Sequence, residues 1–268
     1  MSDLAVRSIQ IILNAQAPSG AYPACPVFPT YRYSWFRDGS FIAYAMDLVG
    51  QHESARRFHD WAAATIVKRA ELVEQAVAKA RSGRRPEQRE LLHTRYALDG
   101  DSADDGDWPN FQLDGFGTWL WAVGQHIDRT GSNLNSSIQT ACQLTADYLE
   151  ALWRFPCYDC WEEFPDQVHP YTLAAIDAGL KVHQDLARTD HDRELIAMRE
   201  LLDNKAVVEG AFVKSLGRKD VDASLMGLAT PYHVVEPDDA LKHKTDARVE
   251  KQLIGGGGVQ RYSKYTYY

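Results

Sequence analysis

The sequence predicts an all-α domain whose helices form a ring, with long loops gathered at one end. Three observations carry this. Apolar residues recur at helical spacing through most of the 268 residues. The helices fall into hairpins of similar length. The pieces between them are long and rich in Trp, Tyr, Pro and Asp, and loops of that size in a compact domain usually hold function.

In chain order, residues 3 to 15, 38 to 49 and 53 to 81 read as helices, the second closed by Gly50. Residues 114 to 130 place Phe116, Trp119, Leu120, Val123 and Ile127 on one face. Residues 134 to 152 repeat this with Leu134, Ile138, Cys142, Leu149 and Leu152. Between them, Arg129-Thr130-Gly131-Ser132-Asn133 supplies a glycine to stop the first helix and a Ser or Asn to cap the second. A second pair, about 170 to 188 and 190 to 204, breaks at Arg188-Thr189-Asp190. A further helix, about 237 to 254, opens at Pro237-Asp238-Asp239 and ends at four glycines. The long loops are 18 to 37, 92 to 113, 154 to 169 and 205 to 236, and no linker divides residues 1 to 268 into two domains.

Composition excludes several classes. With 45% hydrophobic and 25% charged residues the chain is ordinary globular protein. No apolar stretch reaches membrane-spanning length. The N-terminus interrupts its apolar residues with Asp3, Arg7, Ser8 and Gln10, unlike a signal peptide, so a cytoplasmic location and no membrane partner are expected. A net charge of −8 argues against a nucleic-acid partner, because phosphate neutralisation needs clustered Lys and Arg. The one basic run, Arg81, Arg84, Arg85 and Arg89, is diluted by Glu87 and Glu90 and reads as a solvated bend. Cys157 and Cys160 form a lone C-x-x-C without the second pair zinc needs or the βαβ context of a redox motif, so buried thiols are expected. Asp99, Asp101, Asp104, Asp105 and Asp107 fail the EF-hand spacing, since position 103 is Ala, and read as a solvated loop.

Four segments concentrate residue types suited to sugars. Aromatic faces stack on pyranose rings, and planar guanidinium and carboxylate groups grip hydroxyls in pairs. They are Tyr31-Arg32-Tyr33-Ser34-Trp35-Phe36-Arg37-Asp38, Asp107-Trp108-Pro109-Asn110-Phe111-Gln112-Leu113-Asp114-Gly115, Tyr158-Asp159-Cys160-Trp161-Glu162-Glu163-Phe164-Pro165-Asp166 and Gly257-Gly258-Val259-Gln260-Arg261-Tyr262. Plainer readings stand beside these. Arg37-Asp38 alone suits a helix cap with a surface ion pair, Asp114 an N-cap, Trp108 a core position and His169 a capping or loop histidine. Glu162 and Glu163 resist such a reading. Between Trp161 and Phe164 their charge is costly, and burial there raises a carboxyl pKa toward what a general acid requires.

The segments YRYSWFRDGSF, DWPNFQLDGFG, YDCWEEFPDQVH and GVQRYSKYTYY, in that order, resemble glycoside hydrolase family 15, the glucoamylase-like enzymes, including bacterial members acting on isomaltose or short α-glucosides. The resemblance implies an (α/α)6 toroid with a pocket at one end. It also implies inverting, exo-acting release of glucose from the non-reducing end of an α-glucoside, with no cofactor and no metal. Motif by motif, it implies that Glu162 is the general acid and Glu163 a ligand for the sugar on the leaving side. Arg37 and Asp38 would grip the terminal glucose, Trp35 line its pocket, Tyr31 lie against the ring where oxocarbenium charge develops, and Trp108 form a wall. Arg261 and Tyr262 would make a further sugar-binding pair.

Two departures accompany the resemblance. Tyr265 stands where family members usually carry Asp, and no residue matches the second catalytic glutamate, which an inverting mechanism places roughly 6.5 to 9.5 Å from the acid. About nine ring helices can be counted, so a C-terminally shortened domain is expected, with unpartnered apolar faces and little hydrolysis of its own. The alternatives are a trehalase of the same family, a non-catalytic sugar-binding protein on the same ring, and an unrelated helical protein whose aromatic loops are core.

Overall fold

In the computed structural model, residues 2–103, 108 and 110–263 are described. Among them the helices are α1 (Asp3–Ala15), α2 (Phe36–Leu48), α3 (His52–Val67), α4 (Ala70–Arg81), α5 (Asp114–Thr130), α6 (Ser136–Leu152), α7 (Pro170–Ala187), α8 (Asp192–Lys205) and α9 (Ala240–Leu253). The fold is all-α. Its strands are three two-residue pairs, all antiparallel: β1 (Ser34–Trp35) with β2 (Arg95–Tyr96), β3 (Val207–Val208) with β4 (Ala211–Phe212), and β5 (Ile254–Gly255) with β6 (Gly258–Val259).

Helix α5 packs between α2 and α7, while α3 and α6 cover them from outside and α8 backs α7. The α5–α7 contact is made by backbone. A Cβ on Gly117 would stand 2.4 Å from the Ala175 carbonyl oxygen, and one on Gly179 would stand 2.5 Å from that of Gly117. Only glycine permits this approach. The N-termini of α2, α5 and α7 open onto the long loops, so the ring's loops collect at one end. Helix α1 buries no residue fully and exposes Leu4 and Ile11.

The predicted helices are present, with differences that have physical causes. Residues 53 to 81 are two helices, because the chain turns at Lys68-Arg69. The Arg69 guanidinium donates to the carbonyls of Thr65 and Gly100 at 2.8 and 2.9 Å and lies 4.3 Å over Tyr96, bending the helix toward the 96–102 loop. Gly131 ends α5 at φ 64°, as expected, but the cap of α6 is Asn135, whose side chain accepts from the Ile138 N–H at 2.9 Å. Arg188, a non-glycine at φ 53°, closes α7. The four glycines do more than stop α9, since Gly256 and Gly257, both at positive φ, turn the β5–β6 hairpin. Cys142, Cys157 and Cys160 are buried free thiols, whereas Cys25 is half-buried. Asp104, Asp105, Asp107 and Tyr265 lie outside the described residues.

Candidate active site

At the loop end a cavity of about 260 Å³ opens above the N-termini of the inner helices. Six of the nine predicted site residues line it: Tyr31, Trp35, Arg37, Asp38, Glu162 and Arg261. The pairing of β1 with β2 sets Trp35 opposite Arg95, and α2 begins at the next residue, so Arg37 and Asp38 project from its first turn.

The loop 154–169 presents Glu162 through Asp159. One carboxylate oxygen of Asp159 accepts the backbone N–H groups of Trp161 and Glu163, both at 2.9 Å, and its other oxygen accepts from Lys214 at 2.8 Å. Lys214 also donates to Asp222 at 2.6 Å, and Asp222 takes the Trp161 indole N–H at 3.0 Å. This wedge forces Glu162 to φ 68° and Phe164 to φ 54°, left-handed positions that cost a side-chain-bearing residue on the order of 1 kcal/mol each. Burial works against the charge of Lys214, but Asp222 and Asp159 outweigh it and raise its pKa. His169 holds the far end of the loop. It occupies the N-cap position of α7 without capping it, and its Nε2 lies 3.1 Å from the carbonyl oxygens of both Cys157 and Phe164.

Glu162 and Glu163 are half-buried and hydrogen-bonded, not sealed among apolar rings as the sequence suggests. Glu162 Oε1 accepts from the Trp35 indole at 2.6 Å and from Gln112 Nε2 at 3.1 Å. The Oε1 of Gln112 in turn accepts from Arg37 Nη1 at 2.9 Å, so a single amide joins the guanidinium to the carboxylate. Glu163 Oε2 accepts from the Tyr262 hydroxyl at 2.8 Å, beside the cavity and not in its wall.

Asp114 departs from its predicted role as an N-cap. The cap position is Leu113, and Asp114 is a fully buried counterion lying 3.1 Å from Arg37 Nη1. Burial raises its pKa against the pull of Arg37. Burial also disfavours the Arg37 charge, yet Asp114 and then Asp38 carry its pKa well above the ordinary value. Asp38 has one sealed oxygen, Oδ2, 3.5 Å from Arg37, and burial, with Glu162 adding, raises its pKa despite that neighbour.

Trp108 is not in the cavity wall. Its ring meets Trp35 edge-on, with centroids 5.9 Å apart, and the Arg95 guanidinium lies 3.5 Å over it. Arg95 is buried and also lies over Tyr33 at 4.5 Å, making it the hub of the aromatic wall. Arg261 lies 4.7 Å over the Trp161 ring. Gln112, Asp114 and Lys214 were missed as site residues. Only a polar residue between Phe111 and Leu113 hinted at Gln112, and nothing local pointed to Lys214.

A sequence profile of glycosyl hydrolases family 15 matches residues 1–256. The chain is 38% identical over 276 residues to an isomaltose glucohydrolase of Kribbella flavida, covering 100% of this chain and 71% of that protein. It is 25% identical to trehalase 1 of Sulfolobus acidocaldarius, over 87% of this chain and 42% of that one. A solved glycosidase variant in complex with glucose superposes with a TM-score of 0.91 at 38% identity, covering 97% of this chain and 72% of the other.

Proposed function

The chain belongs to glycosyl hydrolases family 15 and is a glycoside hydrolase, and on that premise we propose that its cavity binds the terminal glucose of a short α-glucoside such as isomaltose or maltose. The observation that carries this reading is the continuous run from Arg37 through Gln112 to Glu162, with the Trp35 indole on the same oxygen. A cavity of about 260 Å³ lies just below the roughly 300 to 1,000 Å³ of drug-sized pockets and suits one pyranose ring.

In this reading Arg37 and Asp38 hold hydroxyls of the terminal ring, Trp35 lines its pocket and Tyr31 lies where oxocarbenium charge develops. Glu162 gives its proton to the leaving glycosidic oxygen. Glu163, Arg261 and Tyr262 meet the leaving sugar, while Trp108, pressed on Arg95, supports the Trp35 wall. The reaction inverts the anomeric centre, which requires a second carboxylate to activate water. Among the described residues the cavity wall carries two carboxyl side chains, Asp38 and Glu162. With Asp38 beside Arg37, neither is assigned to that task. Residues 1 to 268 are therefore expected to bind glucose and to hydrolyse α-glucosides slowly.

Calorimetry of the chain with glucose should give saturable binding that Arg37→Ala abolishes. Whatever hydrolysis is measured on isomaltose, maltose and trehalose should fall at least about 100-fold in Glu162→Gln, the scale of lost general-acid catalysis. Absence of glucose binding, or a Glu162→Gln rate equal to wild type, overturns the assignment. Trehalose as the best substrate would favour the trehalase reading.

A further inference from the structure

The inner helices α2 and α5, with the outer helix α3, carry a second buried polar cluster at the end away from the cavity. Asp47 lies in the last turn of α2, His59 in the middle of α3 and His126 in the last third of α5. One donor atom from each lies within 4.8 Å of the others. Asp47 Oδ2 is 2.9 Å from His126 Nδ1, and Asp47 Oδ1 is 2.8 Å from Nδ1 of His52, which opens α3 at the solvent edge of the cluster.

His59 is the unexplained member. Its side chain is 1% exposed, its ring centroid stands 5.2 Å from that of His126, and neither ring nitrogen meets a hydrogen-bonding protein atom among the described residues. A buried imidazole presents one N–H donor and one lone pair, and leaving such groups unmatched is costly. Hydrogen bonding within the cluster satisfies Asp47 and His126 but leaves His59 unmatched.

We propose that Asp47, His59 and His126 form a three-ligand site for a divalent transition-metal ion of the zinc type, with a water in the fourth position. The donor set of imidazole nitrogens with one carboxylate oxygen is what zinc takes, and bonds of roughly 2.0 to 2.2 Å place tetrahedral ligands little over 3 Å apart. The Asp47–His126 separation is close to this spacing, and the His59 donor lies within 4.8 Å of both. The lone pair of His59 would then be used, and the protons now shared with Asp47 would leave to solvent. Three packed helices hold the ligands, which gives the preorganisation a structural site needs. Along α2, Asp47 is about 15 Å from Arg37, so the ion would pin the helices and not touch substrate.

The test uses the untagged chain 1 to 268, freed of metal with a chelator and then titrated separately with Zn²⁺ and Co²⁺. Elemental analysis should find one ion per chain. Co²⁺ should give the visible absorption of a tetrahedral nitrogen and oxygen site, and Zn²⁺ should raise the thermal midpoint. Asp47→Asn, His59→Gln and His126→Gln should each weaken uptake roughly tenfold or more. His59→Leu, which removes an unmatched buried group and should keep the fold, should also weaken uptake, and so tests the site even if the other buried variants do not fold. No stoichiometric uptake by the folded wild-type chain overturns the proposal. So does uptake that folded His59→Gln or His59→Leu leaves unchanged, since the ion would then sit on other histidines.

Discussion

Helices α2 and α5 each carry buried polar groups at both ends, and the two ends solve the same problem differently. At the cavity end the buried carboxylates face permanent or strongly held cations: Asp114 meets Arg37, and Asp159 and Asp222 share Lys214. At the other end, among the described residues, the hydrogen-bond partners of Asp47 are imidazoles, and the neighbouring His59 is unmatched. A guanidinium fixed by a counterion presents its remaining N–H groups toward a ligand in a set direction, as binding a neutral sugar requires. A carboxylate among imidazoles has no fixed cation and is suited to acquiring one.

The comparison can be broken most severely at Asp114. Asp114→Ala takes the buried counterion from Arg37, which lines the cavity, and should cost about 1.5 to 3 kcal/mol in urea denaturation, the scale of a hydrogen bond to a charged group. A loss below about 1 kcal/mol would mean that the pairing is not structural.

Lys214 gives a pH test. Its folded pKa lies above that of an unfolded lysine, about 10.4. The stability it contributes is complete at neutral pH and is lost as pH rises through the raised value. The thermal midpoint should therefore fall above about pH 10.4, and Lys214→Arg, which does not titrate there, should fall less steeply. Parallel profiles for the two proteins would remove the Asp159–Lys214–Asp222 wedge as a stability element.

At the opposite end, His59→Leu in metal-free buffer should be neutral or stabilising by about 1 kcal/mol, because it removes an unmatched buried polar group. A clear loss of stability would show that His59 has a hydrogen-bonding partner in solution.

The smallest effect concerns Asp38. Its folded pKa is raised, so stability declines as pH rises through the window above about 3.9, and at neutral pH its charge opposes folding. Asp38→Asn should raise the thermal midpoint at pH 7 while weakening glucose binding, read by calorimetry on the same protein. A lowered midpoint would mean that the Arg37 contact, not burial, dominates at this position.

What could be read along the chain was whatever neighbouring residues decide among themselves. The bounds of α5 follow from its apolar stripe and from Gly131, and the acidic loop is recognisable because Trp161, Glu162 and Glu163 are consecutive. The break after Val67 was not legible, since helical periodicity runs through Lys68-Arg69 and the bend comes from Arg69 reaching the 96–102 loop. Asp114 looked like a cap for the same reason: its position beside Gly115 is local, whereas its partner Arg37 is 77 residues away.

By itself, then, the sequence determined the helices, the loops that carry polar chemistry, and through its four ordered motifs the family. Hydrophobic periodicity, capping and contiguous motifs act over a few residues. Only the tertiary structure decided which polar group faces which: Gln112 between Arg37 and Glu162, Lys214 beneath the acidic loop, Arg95 against Trp108, and Asp47 with His59 and His126. Those pairings are set by the packing of α2 on α3 and α5, of α5 on α7, and of the loops between them, and burial makes an unpaired charge or polar group costly only once these have closed around it.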